Sequence, residues 1–517
     1  MSENTSDQKF TGFINKIEVI GNKLPHPFWL FVSLSLIILF LSFFLARAGV
    51  SVSYLDAETA EKTTVTVNNL LDSEVIKELL SDFTSIYTGF APLGIVMVMM
   101  LGIGVLEQSG MLSAGLKAAI IGAPAAVVTA AIAFAGVNAN LASDAGIVVV
   151  ATLGGAIFKA MGRKPWLGVI TGYAAANGGF GANMFIAGTD ALLAGITESA
   201  SANIDAPVHP LMNWYFMIFA SIFIIIATVI VTEKFTRKRL GDKGVTSNSD
   251  SSELEEHTLD EKEKKALKIS GIVAVLFIAV LILLILPQNS IFRADDGSLL
   301  PNSPLLDSIV SILFLFFCVV GFTYGKISGS IKDADDIPDL MKEGLSNSLS
   351  FIVVALPASI FVHLLYASEL TTIIGAYGGQ LLQSFNLEGV PLLIVFILLS
   401  SVINIFVTSG SAKWLILAPV FVPMFSQIGW SPALTQISYR VADSATNIIS
   451  PIGYYLPVIM GLLETYKSDD NDQEVGIGTV ISYCLPYSIA YFVVLVLLLM
   501  LWFVFKLPLG PGVSMFL

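Results

Sequence analysis

Two short stretches, Val137-Asn-Ala-Asn-Leu-Ala-Ser-Asp-Ala-Gly146 and Val407-Thr-Ser-Gly-Ser-Ala-Lys-Trp414, interrupt long apolar segments at about 117–160 and about 389–428. At roughly 20 residues per crossing, each segment is long enough to pass a bilayer core twice. Lipid-facing backbone cannot be irregular at membrane depth, whereas backbone buried in protein can. Each polar stretch therefore reads as the tip of a re-entrant hairpin that enters and leaves on one side.

Around these tips, hydropathy marks nine full spans at about 27–48, 86–108, 166–195, 211–232, 267–287, 305–325, 344–366, 433–463 and 478–506. The fold class read from this pattern is an all-α polytopic membrane protein with nine transmembrane helices and two re-entrant hairpins. Composition agrees: 55% of the 517 residues are apolar and 13% are charged, against about 25% charge in a soluble domain. The first 25 residues are polar and no cleavage site follows the first apolar run, so no signal peptide is expected. The net charge of −13 sits mostly in loops and excludes a nucleic-acid partner. Cys318 and Cys484 lie apart in apolar runs and the four histidines are scattered, so neither a disulfide nor a resident cofactor is expected.

Loop charge sets the orientation. Lys9, Lys16 and Lys23 place a cytoplasmic N-terminus at 1–26. Lys159, Arg163 and Lys164 open the first hairpin to the cytoplasm, and Glu233-Lys-Phe-Thr-Arg-Lys-Arg239 begins a cytoplasmic linker at 233–266. The acidic loop 49–85 and the lysine-free loops 196–210 and 288–304 fit outside. The second hairpin then opens outward and the tail 507–517 ends outside. The chain parses as a first repeat at 27–232, a connecting span at 267–287 and a second repeat at 305–506.

The halves share an order of landmarks. Asn138 and Asn404, Ser143 and Ser409, Tyr173 and Tyr439, and Asn177 and Asp443 are each 266 positions apart. Identity over this window is no better than chance, so the inverted repeat rests on topology. Such repeats place solute and ion sites on discontinuous helices at their interface.

The intramembrane polar residues supply the candidate site. Asn138, Asn140 and Ser143 in the first tip offer hard oxygens beside Asp144, and the following span breaks at Ala176-Asn-Gly-Gly-Phe-Gly-Ala-Asn183. Its glycines weaken the helix by about 1 kcal/mol each and free carbonyls, so Asn177 and Gly181 join the first Na⁺ candidates. Small residues also permit close helix packing, and that reading stands beside the ionic one. In the second half, Asn404, Asp443 and Asn447 form a carboxylate-centred ion cluster. Arg440 and Asp443, three apart, could instead pair with each other on one helix face. Asp190 reads either as a structural carboxylate or as part of the site. Lys413 and Trp414 follow the second tip at a helix start, where an anion is attracted. Trp414 is either an anchor or a flat face for an aromatic ring.

At these residues the chain resembles the AbgT family of transporters. The strongest segments are Asn138–Gly146, Gly178–Gly195, Ser409–Pro423 and Tyr439–Pro457, with Ser-Gly-Ser-Ala-Lys-Trp and Tyr-Arg-x-x-Asp-Ser-x-Thr-Asn the most specific. The resemblance implies a bowl-shaped homodimer in the bacterial inner membrane. It also implies uptake of p-aminobenzoyl-glutamate or export of sulfonamide antimetabolites. The family's functional positions carry over as Asp190, Ser411, Trp414, Pro432, Arg440, Asp443 and Pro451. A benzoyl-glutamate has one ring and two carboxylates: Trp414 would stack on the ring, Arg440 would grip a carboxylate, and Ser409 and Ser411 would donate hydrogen bonds. The coupling ion is Na⁺ or H⁺. A Na⁺-coupled dicarboxylate carrier is the rival transporter and a channel the rival of another class. An intramembrane enzyme is not expected, because the chain has no HExxH motif and no nucleophile–base pair.

Overall fold

A computed structural model describes residues 26–55, 62–121, 123–124, 127–241, 258–301, 303–346, 348–385, 388–407, 409–467 and 475–517. Apart from one antiparallel pair of strands, Ser51–Leu55 with Lys62–Thr66, the described elements are helical. Among the described residues eight helices are long and apolar enough to cross a membrane. They are Pro27–Arg47, Ala91–Gln108, Trp214–Leu240, Glu261–Ile285, Ile309–Ser328, Leu349–Ala367, Gly389–Phe406 and Ile477–Phe505.

Two further apolar paths are discontinuous. The first runs as a helix over Pro165–Gly178, tightens into a 3₁₀ turn at Gly179–Gly181 and resumes as a helix at Gly188–Ala200. The second runs over Pro432–Thr446, tightens at Asn447–Ile449 and resumes at Leu456–Thr465. Glycines at 178, 179 and 181 weaken the first helix where it stops. In the second, Pro451 lacks the N–H that a continuing helix needs.

Several boundaries differ from the hydropathy pattern. The stretch at 117–160 opens with the end of a separate helix, Met111–Ile121, before its two arms, Val128–Val137 and Ser143–Ala160. Pro124 lies between the first two, and proline ends a helix and disfavours helical backbone just before it. A helix at Leu370–Ser384 likewise precedes Gly389–Phe406, where Gly375, Gly378, Gly379 and Gln380 had lowered the hydropathy. The helix that begins at Trp214 does not stop near 232. It passes through a π-helical turn at Thr232–Thr236 and continues to Leu240. Glu233 on that turn accepts from Arg163 Nη2 and Thr129 Oγ1, both at 2.7 Å, and so ties the extension to both arms' bases.

Close backbone approach holds the first helix–tip–helix unit against the first broken span. A Cβ on Gly168 would lie 1.9 Å from the carbonyl oxygen of Gly154, and one on Gly154 would lie 2.4 Å from that of Gly168. Without side chains between them, the helices gain dispersion and carbonyl contacts, the main attraction available where lipid is as apolar as the protein.

One face of the molecule collects loops from both halves. Tyr366 Oη donates to Ser199 O, Asn68 Nδ2 to Ala367 O and Ser431 N to Met515 O. The tail 507–517 is a clasp across this face. Leu509 O accepts from Tyr215 N in the first half, and Leu517 N donates to Gly429 O in the second. His209 Nε2 donates to Pro511 O at 3.1 Å while Nδ1 accepts from Leu211 N, and burial lowers the imidazole pKa from its usual value. The opposite face carries Arg163–Glu233, Lys164 on Leu240 O, and Arg239 on Ser482.

Gly168→Ala should therefore force the two helices apart, an overpacking change of at least ~1–3 kcal/mol. Size-exclusion chromatography should show most of the folded peak lost. Gly271→Ala, whose Cβ would meet nothing within 4 Å, should leave it intact. Equal peaks for both variants would contradict the packing described.

Candidate functional site

The helix Pro432–Thr446 is the centre of the molecule, with all fifteen residues buried. It carries two charges, Arg440 and Asp443, one turn apart. They do not pair with each other. Arg440 turns to the first broken span and Asp443 to the second tip, and each finds an opposite charge there.

Arg440 Nη2 meets Asp190 Oδ1 at 2.6 Å and donates to Asn183 Oδ1 at 3.2 Å, while Nε donates to the Gly181 carbonyl at 3.2 Å. Asp190 sits in the first turn of Gly188–Ala200, where the helix dipole favours a carboxylate. Its second oxygen accepts from Ala187 N at 2.7 Å and Asn183 Nδ2 at 2.8 Å. Both carboxylate oxygens are thus saturated. The break in the span makes this possible, since it releases the Gly181 carbonyl and exposes a helix N-terminus to receive Asp190. Gly181 N also donates to Ser444 Oγ at 2.9 Å, so the two broken spans are stitched together on both sides of the arginine.

Asp443 Oδ1 meets Lys413 Nζ at 2.5 Å, and the same ammonium donates to Asn404 Oδ1. Asp443 Oδ2 accepts from Asn447 Nδ2 at 2.8 Å. Asn404 Nδ2 reaches Thr446 Oγ1 at 2.7 Å and the Asp443 carbonyl at 3.2 Å. The four charged side chains of the two pairs are 2% exposed or less.

A third cluster surrounds Trp414. Its ring stacks on Tyr439 with centroids 4.8 Å apart and planes 23° from parallel. Its Nε1 donates to Thr197 Oγ1 at 2.9 Å, which also accepts from Gln436 Nε2 at 2.8 Å. Asn213 Nδ2 donates to Gln436 Oε1 at 2.7 Å, and Tyr439 Oη to Gly410 O at 2.6 Å. Beside this cluster, Glu198 and Ser199 line an open cavity of 630 Å³ on the outer face together with Phe90, His363 and Tyr366.

Several expected roles change in this light. Gly181 is not a free ion ligand, because both its backbone groups are engaged. Arg440 is gripped by Asp190 and not by Asp443, so an incoming carboxylate meets an arginine whose Nη1 is its remaining donor. Trp414 is buried with one face already covered by Tyr439. Asn138 has both amide atoms committed, donating to Phe134 O and accepting from Met184 N. Asn177 Nδ2 donates within its own helix to Tyr173 O. Pro432 starts its helix behind the Ser431 cap, and Pro451 lies in the turn beyond the second break. Ser409 caps Gly410–Ser426 by accepting from Ala412 N at 3.3 Å, and Ser411 lies 3.5 Å from it. The side chains of Ser143 and Asp144 lie outside the described residues.

What remains unsatisfied is informative. Asn140 Nδ2 and Oδ1 and Asn447 Oδ1 are buried without hydrogen-bond partners. Buried polar atoms without partners are rare and need a reason such as an ion or water. Oxygen donors of this kind suit a hard monovalent cation. Asn213 Oδ1 and the hydroxyls of Thr189, Thr236, Ser270 and Ser400 are likewise without partners, and Asn140 and Asn447 are the two that lie at the first tip and beside Asp443. Asn183 and Tyr439, read in the sequence as the end of the first break and as a repeat landmark, complete the site with Thr197 and Gln436, which carry no charge or break to mark them.

Residues 12–517 match the family described as "AbgT putative transporter family". The chain is 36% identical over 499 residues to the p-aminobenzoyl-glutamate transport protein of Escherichia coli strain K12, covering 96% of each chain. It superposes on the YdaH transporter of Alcanivorax borkumensis with a TM-score of 0.85 and 34% identity, covering 94% of this chain and all of that one. It superposes on MtrF of Neisseria gonorrhoeae, reported to illuminate a class of antimetabolite efflux pumps, with a TM-score of 0.90 and 34% identity. That match covers 97% of this chain and all of MtrF.

Removing one partner of a buried ion pair destabilises by about 3–5 kcal/mol, because the other charge is left bare. Asp190→Ala and Arg440→Ala should each lower the melting temperature sharply. The double variant Asp190→Leu with Arg440→Met should recover much of that stability while remaining inactive. Single variants as stable as the parent would show that the pair does not form.

Proposed function

The chain belongs to the AbgT family of transporters, and we propose that it carries p-aminobenzoyl-glutamate or a sulfonamide-type antimetabolite across the bacterial inner membrane, driven by a Na⁺ or H⁺ gradient. In this reading the two helix–tip–helix units are re-entrant, the spans number nine, and the solute meets the second tip between the broken spans. Direction follows from the gradients, since one alternating cycle serves import and efflux.

One observation carries the reading. Four fully buried charges form two ion pairs at helix breaks, beside orphaned asparagine oxygens. A buried ion pair adds little net stability, and well-packed apolar residues serve a fold as well or better. Charges inside a membrane mark ion and solute paths. The chain also bears strong likeness over its length to the Escherichia coli p-aminobenzoyl-glutamate transport protein.

The residues divide the work by chemistry. Arg440 Nη1, Lys413 and the half-buried hydroxyls of Ser409 and Ser411 recognise carboxylates. Trp414 and Tyr439 form an aromatic pair into which an aminophenyl ring inserts or against whose edge it packs. Asn140, Asn447 and Asp443 supply oxygen to the coupling ion. A sulfonamide lacks the glutamate carboxylates and depends less on Arg440. The cavity lined by Glu198 lies one residue along the chain from Thr197, whose hydroxyl holds Trp414.

Proteoliposomes with labelled p-aminobenzoyl-glutamate or a sulfonamide, under an imposed Na⁺ or pH gradient alone, test this directly. Saturable flux at least tenfold above the no-gradient control is expected, falling to background in Asp443→Ala when flux is normalised to the folded protein recovered. Flux that ignores both gradients, or persists in that variant, would overturn it. Full competition by succinate would favour a dicarboxylate carrier, and unsaturable conductance a channel.

A further inference from the structure

The two halves solve the same electrostatic problem differently. At the shared offset of 266 positions, Asn404 matches Asn138, Asp443 matches Asn177 and Lys413 matches Ile147. At these matched positions the first half carries neither charge and the second carries both. Lys413 Nζ lies against Asp443 Oδ1 and Asn404 Oδ1. These are the oxygens that a small cation would use in this half. Asn447 adds a buried oxygen without a partner one helical turn from Asp443. Lys413 is in the first turn of Gly410–Ser426, on the tip that carries Ser409 and Ser411.

We infer that the Lys413 ammonium is a tethered cation holding the ion seat of the second half, and that Na⁺ takes the seat only as Lys413 swings onto a carboxylate of the solute. This rests on the reading above that the Asp443 cluster binds the coupling ion. No proton moves. The ammonium exchanges one carboxylate for another, and Na⁺ replaces it on Asp443.

Charge balance then makes coupling obligatory. With Na⁺ alone, Asp443 is satisfied but Lys413 is left as a bare cation inside the membrane. With the solute anion alone, Lys413 must abandon Asp443 and leave a bare carboxylate. Either state carries an uncompensated buried charge. With both bound, every charge has a partner. One side chain thereby links two ligands without a long-range conformational signal, and the linkage is reciprocal.

Equilibrium binding of ²²Na⁺ to the purified full-length protein, with and without p-aminobenzoyl-glutamate, tests the inference. The parent should bind Na⁺ weakly alone and at least tenfold more tightly with solute. Lys413→Gln should bind Na⁺ at least tenfold more tightly than the parent without solute, and solute should no longer alter it. Lys413→Arg should restore the dependence in part. Unchanged Na⁺ affinity in Lys413→Gln, with solute dependence intact, would overturn the role of Lys413 alone. A parent protein that binds no Na⁺ would overturn the ion-site reading and this inference with it. A second measurement needs no variant: acetylation of Lys413, read by mass spectrometry, should rise only at Na⁺ concentrations high enough to fill the weak solute-free site, and fall again with solute. Constant labelling would contradict the exchange.

Discussion

An arginine cannot lie unpaired in the middle of a bilayer, and the route by which Arg440 reaches its counter-ion organises both halves of the chain. Insertion of a charge at that depth costs at least about 2.5–3.5 kcal/mol. The counter-ion, Asp190, is 250 residues away in the sequence. Bringing them together requires the first span to stop at Gly178, release the Gly181 carbonyl and restart at Gly188, so that Asp190 falls in a helix's first turn. The break is therefore part of the electrostatics. It also requires the first helix–tip–helix unit to approach the broken span backbone to backbone, which the small residues at 154 and 168 permit.

The second half repeats the logic with the partners reversed. There the carboxylate is on the broken span, at Asp443, and the cation comes from the tip, at Lys413. Together the pairs bury charge that is neutral in sum, in a site whose cations both face groups that a carboxylate solute could replace. Asn140 and Asn447 are among the described residues whose buried polar atoms the protein itself leaves without partners, and Asn447 is the one bonded to Asp443. Such a core is ill suited to a purely structural role and well suited to exchanging partners.

Much of the architecture was legible in hydropathy because the constraint is severe: a span needs a long apolar run, and a tip needs small and polar residues. The misses have local causes. Pro124 divides a run that hydropathy alone joins. The helix Leu370–Ser384 is too rich in glycine and amide to register as apolar. The charged residues were visible as an inventory, but not their pairing. Arg440 and Asp443 share a helix face by spacing, yet three-residue spacing is silent about a tip that folds back with Lys413 or a broken span that arrives with Asp190. Thr197 and Gln436 were invisible as site residues because neutral amides and hydroxyls are common in helices, and Asn183 was visible only as the end of a break; contact across the halves gives all three their meaning. Trp414 was readable as an aromatic platform, whereas its cover by Tyr439 depends on the second broken span packing against the tip.

The central claim is that solute binds where the two broken spans and the second tip meet. The most direct test is an experimental structure determined with p-aminobenzoyl-glutamate and Na⁺ present. The account predicts solute density against Trp414, Ser411 and Arg440, with a solute carboxylate on Lys413 and a separate ion on Asp443. Density confined to the outer cavity lined by Glu198, His363 and Tyr366, with both ion pairs undisturbed, would contradict it.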